Sequence, residues 1–385
     1  MAIDLNQILD VAVRGGASDI HLKAGLPPMF RVNGRLLPLK DARRLTPELV
    51  ASTALEIMSP LQQELFKQRL DIDFAYGVAG VGRFRVNVFQ QRSTFGMVLR
   101  VIPHKVPSAE DLLLPKSILQ LAEERRGLIL VTGATGSGKS TTLASMIEHI
   151  NSTRTTHIIT IEDPIEFLIR DRRSLVNQRE IGSDCHSFSN ALRAALRQDP
   201  DVIMVGEMRD LETMEIALTA AETGHLVLST LHTTEAAETI TRVVSSFPSH
   251  QQKTVRLQLA GILKGVVSQR LVPRADARGR VPAVELMVNT ARMKELILDE
   301  DRFREITGAI ASGQDAYGMQ TFDQSLIHLM ERGHITYEEA LAQASNPDDL
   351  ALRLSGVEEG TSTGWGGMLE QGGPHSPGSP PKRQA

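Results

Sequence analysis

The octapeptide Gly133-Ala134-Thr135-Gly136-Ser137-Gly138-Lys139-Ser140, followed by Thr141, matches the pattern G-x-x-x-x-G-K-[ST]. It follows the apolar run Leu128-Ile129-Leu130-Val131, which predicts a strand, and precedes a segment with helical character. The strand-turn-helix context of a phosphate-binding loop is therefore present. Glycines let the backbone turn tightly enough for its N–H groups and the helix N-terminus to converge on phosphate oxygens. Lys139 then supplies charge at the β and γ positions, and Ser140 a hydroxyl for Mg²⁺. The alternative, a glycine-rich turn that contains Lys-Ser by accident, should arise in roughly one chain of this length in a hundred.

Around this loop the chain alternates short apolar runs with helical segments. His157–Ile161, Val202–Val205 and Leu226–Ser229 join Leu128–Val131 as predicted strands buried on both faces, the pattern of a parallel α/β sheet. The stretch before it reads differently. A helix is expected from Asp4 to Arg14, a hairpin at Met29–Val32 and Arg35–Leu37 around Asn33-Gly34, and a helix from Thr46-Pro47 to about Met58. Strict alternation from Gly82 to Phe89 puts Phe84, Val86 and Val88 on one face and Arg83, Arg85 and Asn87 on the other, and Gly96–Ile102 predicts a further strand. Residues 103–115 carry Pro103, Pro107 and Pro115 without periodicity and read as a linker between a domain at 1–102 and one at 116–355. Two capping boxes, Thr321 with Gln324 and Thr336 with Glu339, are expected to start helices. In the last segment, 356–385, half of the residues are Gly, Pro or Ser, so a disordered tail is expected.

Composition narrows the class. With 385 residues, 41% hydrophobic and 23% charged, the chain is an ordinary globular protein, and a formal net charge of -4 provides no general attraction to nucleic acid or anionic lipid. The single cysteine, Cys185, excludes an internal disulfide and a cysteine-based zinc cluster and points to a reducing, cytoplasmic setting. No signal peptide and no membrane-spanning run are expected, so a membrane role has to pass through a partner.

Phosphoryl transfer to water needs a group that orients the water and groups that neutralise the γ-phosphate. Glu207, two residues beyond the apolar run Val202–Val205, is the candidate for the first. The metal-binding Asp that often ends this second motif strand is absent. Glu162, Asp163 and Glu166 follow another buried strand; they are candidates for binding Mg²⁺ through water or polarising the nucleophile, or simply a charged turn. His225 and His232 bracket the strand Leu226–Thr230 and are candidate γ-phosphate sensors, or histidines merely hydrogen-bonded in place.

The phosphate loop, Ile161-Glu162-Asp163-Pro164-Ile165-Glu166, Leu196–Asp201 with Val205–Asp210, and Thr223–Leu226 with Thr230–Thr233 together resemble the Walker A, Asp-box, Walker B and His-box set of the secretion-type ATPases. Within that superfamily the chain is similar to the type IV pilus retraction ATPases, from Ala17-Ser18-Asp19-Ile20-His21-Leu22 to Met319–Gln324, over about residues 1–355. The resemblance implies a PAS-like α+β N-terminal domain, a RecA-like P-loop ATPase domain with a helical C-terminal part, and a homohexameric ATP- and Mg²⁺-dependent motor. It also implies a place at the cytoplasmic face of the inner membrane, beside a PilC-like pilus platform protein and in some systems a second retraction ATPase. By the same resemblance Lys139 and Ser140 bind nucleotide, Glu207 is the catalytic glutamate, Glu166 the Asp-box carboxylate, and His225 and His232 the His box. Arg83 and Arg85 are candidates for arginines that neutralise the phosphates, a solvated basic strand face being the alternative. Pilus extension and type II secretion ATPases usually carry four zinc-binding cysteines, which one cysteine cannot supply. An accessory retraction ATPase remains the alternative, and Ala291–Ile297 matches the retraction signature of these proteins only loosely. The basic clusters at Arg170, Arg172 and Arg173, and at Arg270, Arg274, Arg278 and Arg280, are interrupted by Asp171 and Asp276, which argues against a nucleic-acid translocase. A small-molecule kinase is the third reading; it would be monomeric or dimeric.

Overall fold

The computed structural model describes residues 4–277 and 279–354; the expected disordered tail lies outside them. The first helix, α1 (Leu5–Arg14), begins where the Asp4 carboxylate accepts the Gln7 amide, and it buries Leu5, Leu9 and Ala12. Strands β1 (Asp19–Lys23), β2 (Met29–Val32) and β3 (Arg35–Pro38) come next. Asn33 (φ 48°) and Gly34 (φ 80°) both adopt positive φ, as a type I′ turn requires. Helix α2 (Pro47–Ile57) is capped by Thr46, and α3 (Pro60–Arg69) by a full capping box of Ser59 and Gln62. Then come β4 (Asp71–Val78), β5 (Gly82–Gln91) and β6 (Thr94–Ile102).

These six strands form an antiparallel sheet in the order β3-β2-β1-β6-β5-β4. Alternation sends Phe84, Val86 and Val88 to a buried face shared with Leu9, Ile20, Val50, Phe66 and Leu99. The opposite face carries a row set by register: Arg31 of β2, Asp19 of β1, Arg100 of β6 and Arg85 of β5.

Residues 103–115 hold no helix or strand, but Ala109 and Leu114 are buried in the core of the second unit, against Ile118, Leu121 and Ile147. After α4 (Lys116–Ala122), the chain builds a second sheet from β7 (Gly127–Thr132), β8 (His157–Glu162), β9 (Leu175–Glu180), β10 (Val202–Val205), β11 (Leu226–Leu231), β12 (Leu263–Pro273) and β13 (Arg280–Val288). Its order is β13-β12-β7-β11-β10-β8-β9, parallel except for β13. Every residue of β7, β10 and β11 is buried, as expected for strands covered on both faces. Helices α4 and α5 (Lys139–Thr153) cover one face; α6 (Phe188–Ala195), α7 (Leu211–Glu222), α8 (Ala236–Ser245), α9 (Ser249–Ile262) and α10 (Ala291–Leu298) cover the other. The helices Ile306–Ser312, Gln314–Tyr317, Phe322–Glu331, Tyr337–Gln343 and Pro347–Leu354 (α11 to α15) complete the chain.

Both expected layers are present: an α+β N-terminal unit and a parallel α/β unit with C-terminal helices. One detail differs. The Thr321–Gln324 capping box forms in full, whereas at Thr336 only the Glu339 amide is bonded to the cap, at 3.2 Å. Among the described residues the Glu339 side chain makes no return bond.

Candidate active site

Because β7, β8, β10 and β11 run parallel, their carboxyl ends deliver the phosphate loop, Glu162, Glu207 and His232 to one edge of the sheet. The loop itself is built on positive φ. Gly133 sits at φ 140°, and a Cβ there would approach Gln269 O to 2.4 Å and Ser137 Oγ to 2.6 Å. Gly138 (φ 95°) is the N-cap of α5 and offers no side chain, so the first amides of α5 have no side-chain cap, and this helix start lines the cleft.

Lys139 is buried, and its Nζ donates to Gly133 O at 2.8 Å and Ala134 O at 3.0 Å. Burial pushes its pKa below the ordinary lysine value, and the nearby Glu207 charge works against that shift. An anion in the loop would give the ammonium a partner better than two neutral carbonyls. Ser137 Oγ is buried with no hydrogen-bond partner, a further donor at the cradle. Ser140 is exposed and Thr141 half-buried, both on the wall of a cleft of about 650 Å³ between the two sheets. The donor set fits a triphosphate.

Glu207 is largely buried, with Arg209 Nε at 2.7 Å and His232 Nε2 at 3.5 Å from its Oε2. Glu166 is exposed on the same cleft. Glu162 is buried at the end of β8, accepting from Thr160 Oγ1 (2.7 Å) and Gln178 Nε2 (3.1 Å). Burial raises its pKa, and those two hydrogen bonds only partly offset the effect. Among the described residues no three His, Cys, Asp or Glu side chains gather in metal-ligating geometry. The site suits Mg²⁺ held through Ser140, phosphate oxygens and water.

The sequence-derived residues divide. Residues 135, 136 and 138–141 of the loop, with Glu166, Glu207, His232 and Arg85, line the cleft, and Gly133, Ala134 and Ser137 form the back of the loop. Arg83 does not line it; its Nη2 is bonded to Glu180 at 3.2 Å. His225 precedes β11 at the opposite end of the sheet, about 20 Å away by strand rise, with Nδ1 2.9 Å from Ala220 O. Sequence reading missed Arg100, Arg209 and Arg280, which also line the cleft. Arg100 was findable, because Met97 and Leu99 of β6 alternate inward and leave Arg100 on the face of Arg85.

The model of the type II/IV secretion system protein family matches residues 1–315. The Pseudomonas aeruginosa type IV pilus retraction ATPase PilT is 47% identical over 352 residues, 90% of this chain and 100% of the relative. The type IV pilus ATPase PilU of the same organism is 43% identical over 352 residues, 91% of each chain. A crystal structure of the pilus retraction motor PilT with bound ADP superimposes with a TM-score of 0.81 at 49% identity, covering 91% of this chain and 99% of that one. Fold, cleft and similarity over nearly the whole length agree: the chain belongs to the type II/IV secretion system protein family and is of the PilT type.

Proposed function

We propose that this chain hydrolyses ATP with Mg²⁺ and works as a ring of six copies that powers retraction of type IV pili by depolymerising pilin. The observation that carries hydrolysis is the Glu207 carboxylate, set at the end of β10 in the cleft that holds Lys139. The retraction half rests on the 47% identity to PilT along that protein's full length. In this reading residues 1–102 form the PAS-like domain and 116–355 the RecA-like one.

The α5 amides and Lys139 bind the β- and γ-phosphates, and Arg85 and Arg100 neutralise them from the N-terminal sheet. Ser140 would hold a Mg²⁺, which would supply charge that offsets the phosphate oxygens. Glu207 orients a water and accepts its proton as the oxygen attacks the γ-phosphorus and the bond to the bridging oxygen breaks, giving ADP and phosphate. His232 and Arg209 hold the Glu207 carboxylate, and Glu166 lies on the cleft wall. Domain closure on ATP and opening after release would pass force to a PilC-like platform protein at the cytoplasmic face of the inner membrane. No helix among the described residues is long and apolar enough to cross a membrane itself.

The 43% identity to PilU favours one second reading, an accessory retraction motor. Deleting the gene in a piliated host separates the two: fibres that no longer shorten, with rescue by wild type but not by Glu207→Gln, are the expected result. Fibres that still shorten point to the accessory role.

A further inference from the structure

Glu180, the last residue of β9, is a buried carboxylate on the edge strand of the second sheet. Its Oε2 accepts from Arg83 Nη2 at 3.2 Å and from the Ile165 amide at 3.3 Å. One oxygen therefore holds an arginine of the N-terminal sheet and the backbone beside Glu166. Burying a carboxylate is costly unless it is paired and hydrogen-bonded, and Arg83 is the cation that Glu180 pairs with.

Three further contacts point the same way. Arg83 and Ile102 are cross-strand partners, and Pro103, the next residue, accepts from the Leu168 amide at 3.2 Å. The corner of the first sheet thus reaches the 165–168 segment once directly, through Pro103, and once through Glu180. From the other side, Gln178 of β9 accepts from the Ile169 amide at 2.8 Å and donates to Phe167 O at 2.9 Å. Segment 163–169 is clamped between β9 and the N-terminal sheet, and Glu166 is among its residues that line the cleft.

We propose that Glu180 is a positioning residue that, with Arg83, ties the placement of the N-terminal domain to the turn bearing Glu166. When the N-terminal domain swings away, Arg83 leaves Glu180, the buried charge loses its partner, and the turn keeps only its bonds to β9. Cleft opening and loss of Glu166 geometry become one event. The inference rests on the hydrolytic reading only for its effect on rate.

The test is hydrogen exchange on the full chain, which needs no turnover. Arg83→Met touches none of residues 163–169, yet it should speed exchange of their amides about tenfold while leaving α5 unchanged. ATP turnover should fall about 10- to 100-fold, the cost of a roughly 1 Å misplacement, with KM changed less than about threefold. Glu180→Gln should do the same, and Arg83→Met with Glu180→Gln should be no worse than either alone, because both remove one interaction. Unchanged exchange in Arg83→Met, or losses that multiply in the double variant, would overturn the proposal. Wild-type turnover in Glu207→Gln would instead refute the hydrolytic reading and leave the exchange result to decide the coupling.

Discussion

Arg85 and Arg100 stand directly opposite each other on adjacent antiparallel strands, on the face of the first sheet that borders the phosphate-loop cleft. Like charges in that relation repel. Each leans on a carboxylate, Arg85 on Asp73 at 3.8 Å and Arg100 on Asp19 at 2.9 Å. Burial alone would raise the Asp19 pKa, but hydrogen bonds from Arg100 and Ser18 outweigh it and leave the carboxyl below its ordinary value. Its stabilising contribution is therefore present above the unfolded-state pKa and is lost as pH falls through the lower folded value. A triphosphate between the sheets would relieve the arginine pair. Arg100→Gln is expected to weaken ATP binding about tenfold, less at high salt, with little change in kcat. Nucleotide titration at two ionic strengths reads this directly, and an unchanged affinity would leave Arg100 as a partner of Asp19 alone.

Gly133 carries a separate prediction, because its surroundings leave no room for a methyl group. Gly133→Ala must displace backbone at Gln269 O or the Ser137 side chain, and it sits at φ 140° besides. A loss of about 2–4 kcal/mol in unfolding free energy is expected, together with loss of nucleotide binding. Gly136→Ala is the control: its φ is also positive, at 81°, but nothing lies within 4 Å of the added carbon, so it should destabilise less. Equal losses in the two variants, measured by denaturant titration, would show that strain and not crowding dominates.

How legible each feature is in the sequence depends on how locally it is encoded. The Asn33-Gly34 turn, the Thr46 cap and the apolar runs of β7, β8, β10 and β11 are short-range signals and read true. Strand β9, Leu-Val-Asn-Gln-Arg-Glu, went unread because an edge strand with polar side chains has neither a continuous apolar run nor clean alternation. Strands β12 and β13 escaped because Lys264, Gln269 and Arg270 in one, and Pro282 and Glu285 in the other, interrupt their apolar runs. The site splits in the same way. Motif residues on one parallel edge converge, since topology places every strand end there, but His225 lies at the wrong end of its strand. The choice between Arg83 and Arg85 depends on where β9 puts Glu180, a tertiary fact without a sequence signature.

Glu207 and His232 set a third expectation. With His232 Nε2 3.5 Å from the carboxylate and Arg209 at 2.7 Å, Glu207 is held in place before any substrate arrives. Glu207→Gln should reduce ATP turnover by at least about 100-fold while leaving ATP binding near wild type, because the amide keeps the shape and loses the proton-accepting charge. His232→Ala should lose less, and His225→Ala should leave turnover in an isolated chain unchanged. Single-turnover hydrolysis and a binding titration on the same samples separate the two effects. A Glu207→Gln variant that turns over normally would transfer the water-orienting role elsewhere in the cleft.

Glu285 gives a prediction in pH. It is buried on β13, where its Oε1 accepts from the Ala236 amide at 2.7 Å and anchors the start of α8, just beyond His232. Burial pushes its pKa up to about 7; the Ala236 hydrogen bond and Arg270 oppose the rise, while Glu235 and Asp323 add to it. The folded state therefore holds a proton that the unfolded state has released, between the ordinary glutamate value and about 7, and stability falls as pH rises through that window. Glutamine keeps the acceptor and carries no charge, so Glu285→Gln should match wild type near pH 4.5 and exceed it at pH 8 by up to about 3 kcal/mol. Unfolding midpoints across that range test the sign. A variant less stable than wild type at pH 8 would mean that the carboxylate charge at the α8 N-terminus outweighs its burial cost.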